Sequence, residues 1–154
     1  MESATNNIAI GCKAMGAGSI TGSCNIAIGQ GAGCSITSSN NSILIGRDAG
    51  KTLDASQNNI YIGNYAGAKD TDGQANVFIG CYVACGFDGG SNNVVIGSSS
   101  AKAYTDGDDP IGLISIGGSN LNESTENGCV IAIGRQAANK GTDHRHSIIM
   151  GFCA

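Results

Sequence analysis

Two histidines, a cluster of aspartates and seven cysteines are the side chains of this 154-residue chain that could do chemistry. His144 and His146 stand two residues apart, so on an extended segment both imidazoles point the same way. If three chains met on a three-fold axis, three such pairs would offer six ring nitrogens to one metal ion. Nothing in the sequence puts the pair on an axis, and a polar turn before an apolar segment is the reading expected. Asp106, Asp108 and Asp109, followed by Pro110, suit either a loop that contacts Ca²⁺ or a receptor, or simply a longer solvated turn. Asp70, Asp72 and Gly73 lack the spacing and the closing Glu of an EF-hand. Gly16, Gly18 and Gly22 are followed by neither a Lys-Ser/Thr pair nor a strand-to-helix pattern, so they do not make a phosphate loop. No Ser-His-Asp set or carboxylate pair can be assembled, which predicts a protein that is not an enzyme and needs no cofactor.

Composition narrows the classes further. The chain has 25 Gly, one Pro, no Trp and 13% charged residues, a bias that points to a repetitive architecture. A net charge of −4 with eight scattered basic residues argues against nucleic-acid binding, which depends on clustered Lys and Arg. No apolar run approaches the roughly 20 residues that span a bilayer, and the first residues lack a basic-then-apolar leader, so synthesis in the cytosol is expected.

The elements that must position these side chains come from a repeat. An aliphatic residue, any residue, an aliphatic residue and Gly recur nine times, closing on Gly11, Gly29, Gly46, Gly63, Gly80, Gly97, Gly117, Gly134 and Gly151. Successive glycines are 18, 17, 17, 17, 17, 20, 17 and 17 residues apart, and the long interval holds the aspartates and Pro110. Each motif is short, rich in β-branched residues and ends on a residue free of Cβ constraints, which predicts a brief strand and then a bend. A small residue three places after most of these glycines, such as Ala32, Ala49 and Ala66, predicts a tight inward corner. Asn7, Asn25, Asn59, Asn76 and Asn93 precede the strand, where stacked rungs would align their amides. The rest of each repeat, polar apart from residues such as Ile36, Leu53 and Phe87, predicts a weaker second strand and an exposed turn.

One rung cannot stand alone, because ordering its backbone costs about 1 to 2 kcal/mol per residue. The prediction is therefore an all-β fold, a single domain over residues 1–154 built as a parallel β-solenoid of nine rungs of about seventeen residues. Alternation sends the flanking aliphatics of each strand to one side and the central residue to the other. With the flanking pair taken as core, the central column would lie outside, apolar in eight of nine copies. Leu44, Tyr61, Phe78, Val95 and Ile149 are on that reading a lateral interface between chains.

The unit Asn-Ile-Ala-Ile-Gly with Ala three positions on, at Asn7 to Ala14 and Asn25 to Ala32, resembles the head repeat of trimeric autotransporter adhesins of the YadA type. Units such as Asn58 to Gly67 resemble repeats in phage and viral tail fibres. The resemblance covers nearly the whole chain and implies a left-handed β-roll, a homotrimer and a role in attachment. It also has two departures. The adhesins carry a signal peptide, coiled-coil stalk and membrane anchor that are not seen here, and their heads have few cysteines.

No two of Cys12, Cys24, Cys34, Cys81, Cys85, Cys129 and Cys153 are 17 apart, so a disulfide ladder between adjacent rungs is excluded. Small buried hydrophobes in a reducing compartment is the expected role. These features together favour a structural or adhesive fibre protein, a viral fibre or receptor-attachment module on the virion surface after cytosolic assembly, with a host glycan or protein as partner. The alternatives, in order, are a head-to-tail filament formed through uncapped ends, extracellular or at the cell surface, and a secreted bacterial adhesin head. Ice binding ranks lowest, since no column is rich in Thr.

Overall fold

The computed structural model describes residues 4–102, 111–122, 129–139, 144 and 146–154. Nine three-residue strands follow in chain order: β1 (Ile8–Ile10), β2 (Ile26–Ile28), β3 (Ile43–Ile45), β4 (Ile60–Ile62), β5 (Val77–Ile79), β6 (Val94–Ile96), β7 (Ile114–Ile116), β8 (Ile131–Ile133) and β9 (Ile148–Met150). They form one parallel sheet in that order, a β-solenoid in which each strand pairs with the next rung. Register follows the repeat: Leu44 faces Tyr61, Tyr61 faces Phe78 and Phe78 faces Val95. The second strand expected in each rung is reduced to a ladder of single bridges running Asn40, Gln57, Gln74, Ser91 and Ile111.

The chain turns through positive-φ corners that recur rung after rung. The motif glycine takes φ between +124° and +143°, and the positions two and four residues later are left-handed, as at Tyr65 (φ 58°) and Gly67 (φ 56°). Non-glycine residues pay about 1 to 2 kcal/mol for that conformation. Hydrogen bonds to the neighbouring rung hold them there, for example Tyr65 N–H to the Arg47 carbonyl at 2.9 Å and Tyr82 N–H to Asn64 at 2.8 Å.

The alternation is as expected, but its sense is reversed. Leu44, Tyr61, Phe78 and Val95 are fully buried inside the single chain, and Ile149 is partly buried against the same core. None of these five residues can be a lateral interface, and it is the flanking aliphatics that face outward. The physical reason is the narrow coil. Its interior accepts one central side chain per strand, together with the small corner residue (Ala32, Ala49, Ala66) and one residue from the opposite side (Ile36, Leu53, Phe87), all fully buried. Tyr61 stacks on Phe78 with centroids 4.6 Å apart, and Phe87 meets Phe78 edge-on at 5.2 Å.

Volume is matched at several corners. A Cβ on Gly50 would come within 2.7 Å of Leu44, and one on Gly67 within 2.6 Å of the Tyr61 ring. Where the central residue shrinks to Ser115, the equivalent corner carries Leu121, also buried. Dense packing of this kind is what makes a core sensitive to single methylene groups.

The predicted asparagine ladder is present inside the coil, joining side chain to backbone. The Asn59 side-chain oxygen accepts the Asn76 N–H at 2.9 Å, while its amide donates to the Gly73 carbonyl at 2.7 Å. Asn25 and Asn76 bond the next rung in the same two ways. Each Asn thus satisfies a donor and an acceptor that burial would otherwise leave unpaired, at about 1 to 3 kcal/mol each.

Candidate functional site

One extended feature is the outer sheet face. Eighteen residues flank the nine central positions, all Ile or Val apart from Met150, and none is charged. Within a rung they are half-exposed, because neighbours in the same column shield each other, and Ile10 (57%) and Met150 (66%) are more exposed on the first and last strands. In-register parallel pairing aligns them in two uninterrupted columns. Sequence reasoning found these residues but assigned them to the interior.

A second feature lies on the corner just after the motif glycine. Tyr65 and Tyr82, seventeen residues apart, stack with centroids 4.9 Å apart and planes 11° from parallel. Arg47 covers the other face of Tyr65, its guanidinium carbon 4.7 Å from the ring and Nη2 donating to the phenol oxygen at 2.6 Å. A cation over a stacked ring pair is an ordered surface group rather than a loose one. The spacing of the two tyrosines was the available signal for it.

A buried junction forms where the column of Ile36, Leu53 and Phe87 is interrupted by Asp70. Tyr61 donates its phenolic proton to one carboxylate oxygen, and the backbone N–H groups of Gly73 (2.9 Å) and Gly89 (3.1 Å) donate to the other. Burial pushes the Asp70 carboxyl up to about 6 from its ordinary 3.8, more strongly than these donors pull it down. Burial and the adjacent Asp70 carboxylate together push the Tyr61 phenol well above its usual range. The Asp70 oxygens are engaged by protein donors, while Asp72 points into solvent, so the pair does not form a cation loop.

A carboxyl whose folded pKa lies above its unfolded value favours the folded state in its protonated form. The Asp70 contribution is therefore fully present below pH 3.8 and is lost as pH rises through 6, by roughly 3 kcal/mol over that window. Denaturant midpoints of the wild type relative to Asp70→Asn should fall from pH 4 to pH 6 and then level off. A difference between the two that stays constant with pH would show that Asp70 does not titrate in this window. The double change Tyr61→Phe, Asp70→Leu, which extends the aliphatic column, should cost less than either single change, because neither partner is left unpaired.

The remaining candidate residues are dispersed. His144 is half-buried with its Nε2 unpartnered, whereas His146 is exposed at a left-handed corner (φ 57°), so the two do not lie alike on one extended segment. Asp106, Asp108 and Asp109 lie outside the described residues. All seven cysteines are free thiols; Cys12, Cys24, Cys81, Cys129 and Cys153 are exposed and Cys34 and Cys85 half-buried. The expectation of buried cysteines is thus overturned, because their columns fall on corners that point outward. Among the described residues no group of three His, Cys, Asp or Glu side chains could hold a metal ion. Comparison with protein-family models, with curated proteins and with solved structures gives no match to this chain.

Proposed function

We propose that this chain is a structural module that works by self-association, a homotrimeric fibre or attachment element of the kind found on virion surfaces. The observation that supports it is the outer face. Two charge-free aliphatic columns nine rungs long make a strip on the order of 400 Å², taking about 4.8 Å per rung and about 10 Å of width. A strip of that size matches the largest apolar patch of an ordinary monomer, a kind of patch that is often functional, and here it is unbroken along the whole sheet. A second copy is the partner that fits, because only another solenoid repeats its side chains at the same interval along the whole strip. The viral setting rests on the resemblance of the repeat to tail-fibre units and on seven free thiols, which suit assembly in a reducing compartment.

Ile62→Glu, which puts a carboxylate in the middle of the strip, should leave the circular dichroism unchanged and reduce the sedimenting species to the single chain. Lys69→Glu, an exposed change away from the strip, should sediment as the wild type does. If Ile62→Glu sediments as the wild type does, the strip is not the contact surface.

A further inference from the structure

The corner that carries the Arg47, Tyr65 and Tyr82 stack has one gap. Along the column two residues after each motif glycine the side chains run Lys13, Gly31, Asp48, Tyr65 and Tyr82, and only Gly31 contributes none. Asp48 leans into the space above Gly31, and around it lies a depression of about 350 Å³ lined by Lys13, Gln30, Arg47, Asp48, Lys51 and Tyr65. Three cations and one carboxylate give it two net positive charges on a chain whose net charge is −4.

The polar groups are arranged for a mixed ligand. Lys51 is 3.7 Å from Asp48, so this cation is partly neutralised, while Lys13 and Arg47 have no carboxylate partner among the described residues. Arg47 spends one Nη2 contact on the Tyr65 oxygen, which orients the guanidinium and leaves the phenolic proton of Tyr65 to donate elsewhere. The Gln30 side-chain amide is exposed and makes no hydrogen bond to described residues, and Asp48 leans over Gly31, where its Oδ1 lies 2.5 Å from the place a Cβ would occupy. Beside the cations, which attract an anion of any kind, stands the Asp48 carboxylate. It accepts hydroxyl donors well, as does an amide.

We infer that the notch over Gly31 binds an acidic saccharide, its carboxylate held by Arg47 and Lys13 and its ring hydroxyls by Asp48, Gln30 and Tyr65. Charge-assisted bonds to an oriented guanidinium supply the stronger contacts, and the hydroxyl contacts supply selectivity over a bare anion. The site uses only the first four rungs of one chain. It therefore stands apart from the assembly proposed above, and a monomer that still bound the sugar would count against assembly alone.

The test is titration calorimetry at low salt with glucuronic acid, glucose and acetate as probes. Glucuronate should bind, glucose should not, and acetate should bind at least about tenfold more weakly than glucuronate, a difference of about 1.4 kcal/mol. Arg47→Gln and Lys13→Gln, both at exposed positions, should each weaken glucuronate by a similar factor. Gly31→Asn should abolish binding, because its Cβ would lie 2.5 Å from Asp48 Oδ1 and so push that carboxylate aside while the new side chain fills the notch; Asn tolerates a φ of +68°, as Lys13 and Asp48 do in the same column, and an unchanged circular dichroism spectrum would show that the fold is kept. Absence of glucuronate binding, or binding indifferent to these three substitutions, would overturn the assignment. Acetate binding as tightly as glucuronate would leave an anion site and overturn the saccharide.

Discussion

Gly63→Ala is expected to destabilise the protein by about 2 to 6 kcal/mol, enough to unfold a domain of ordinary stability. Two costs combine. At φ +136° an L-residue is strained, and the new methyl would lie 2.6 Å from the carbonyl carbon of Gly80 on the next rung and closer still to its oxygen. Neither atom can yield, because both are backbone in the parallel ladder, where the Gly80 N–H already bonds the Ile62 carbonyl at 2.8 Å. Gly118→Ala is the matched control. Its Cβ would meet nothing nearer than 3.9 Å and its φ is not positive, so the change should be neutral or stabilising by up to about 1 kcal/mol. Urea midpoints of the two variants check this. Equal effects would mean that the motif glycines are not set by the close approach of rungs.

Phe78→Ala should cost about 3 to 5 kcal/mol, the range for deleting a buried aromatic ring. The ring is fully enclosed, stacked on Tyr61 of the preceding rung and touched edge-on by Phe87 of its own, so its removal leaves a cavity lined by both rings. Ile79→Thr, next in sequence but on the half-exposed outer face, keeps the β-branch and should cost about 1 kcal/mol or less in the folding of the chain itself. Chemical denaturation of both variants at low protein concentration separates core from outer face. A mild Phe78→Ala together with a severe Ile79→Thr would restore the opposite orientation of the strand.

The rungs, their register and the tight corners were legible in the sequence, because nine glycines at nearly constant spacing leave one way to stack the chain. Which side of each strand faces inward was not read correctly. Strand alternation is symmetric, and two aliphatics outvote one central residue when hydrophobicity alone is counted. Two signals for the true orientation were nevertheless present. Asn59 and Tyr61 share parity, so an amide ladder that serves buried backbone places the central column inside with it. The other was compensation of volume. Gly50 and Gly67 accompany Leu44 and Tyr61, whereas Leu121 accompanies Ser115, and such matching is required only where space is limited. Asp70 was obscured by its loop-like neighbours Asp72 and Gly73, although it falls seventeen residues after Leu53 and seventeen before Phe87, in a buried column. The notch over Gly31 lies beyond such reading, since it depends on how Asp48, Arg47 and Tyr65 lean across rungs.

The inside of the coil is filled by its own side chains, and the proposed function rests on the outside, where the two aliphatic columns run without a charge along all nine strands. The absolute mass of the native chain by multi-angle light scattering tests that directly. Three times the chain mass of 15.4 kDa is the predicted result, and a stable single chain across micromolar concentrations would contradict the account.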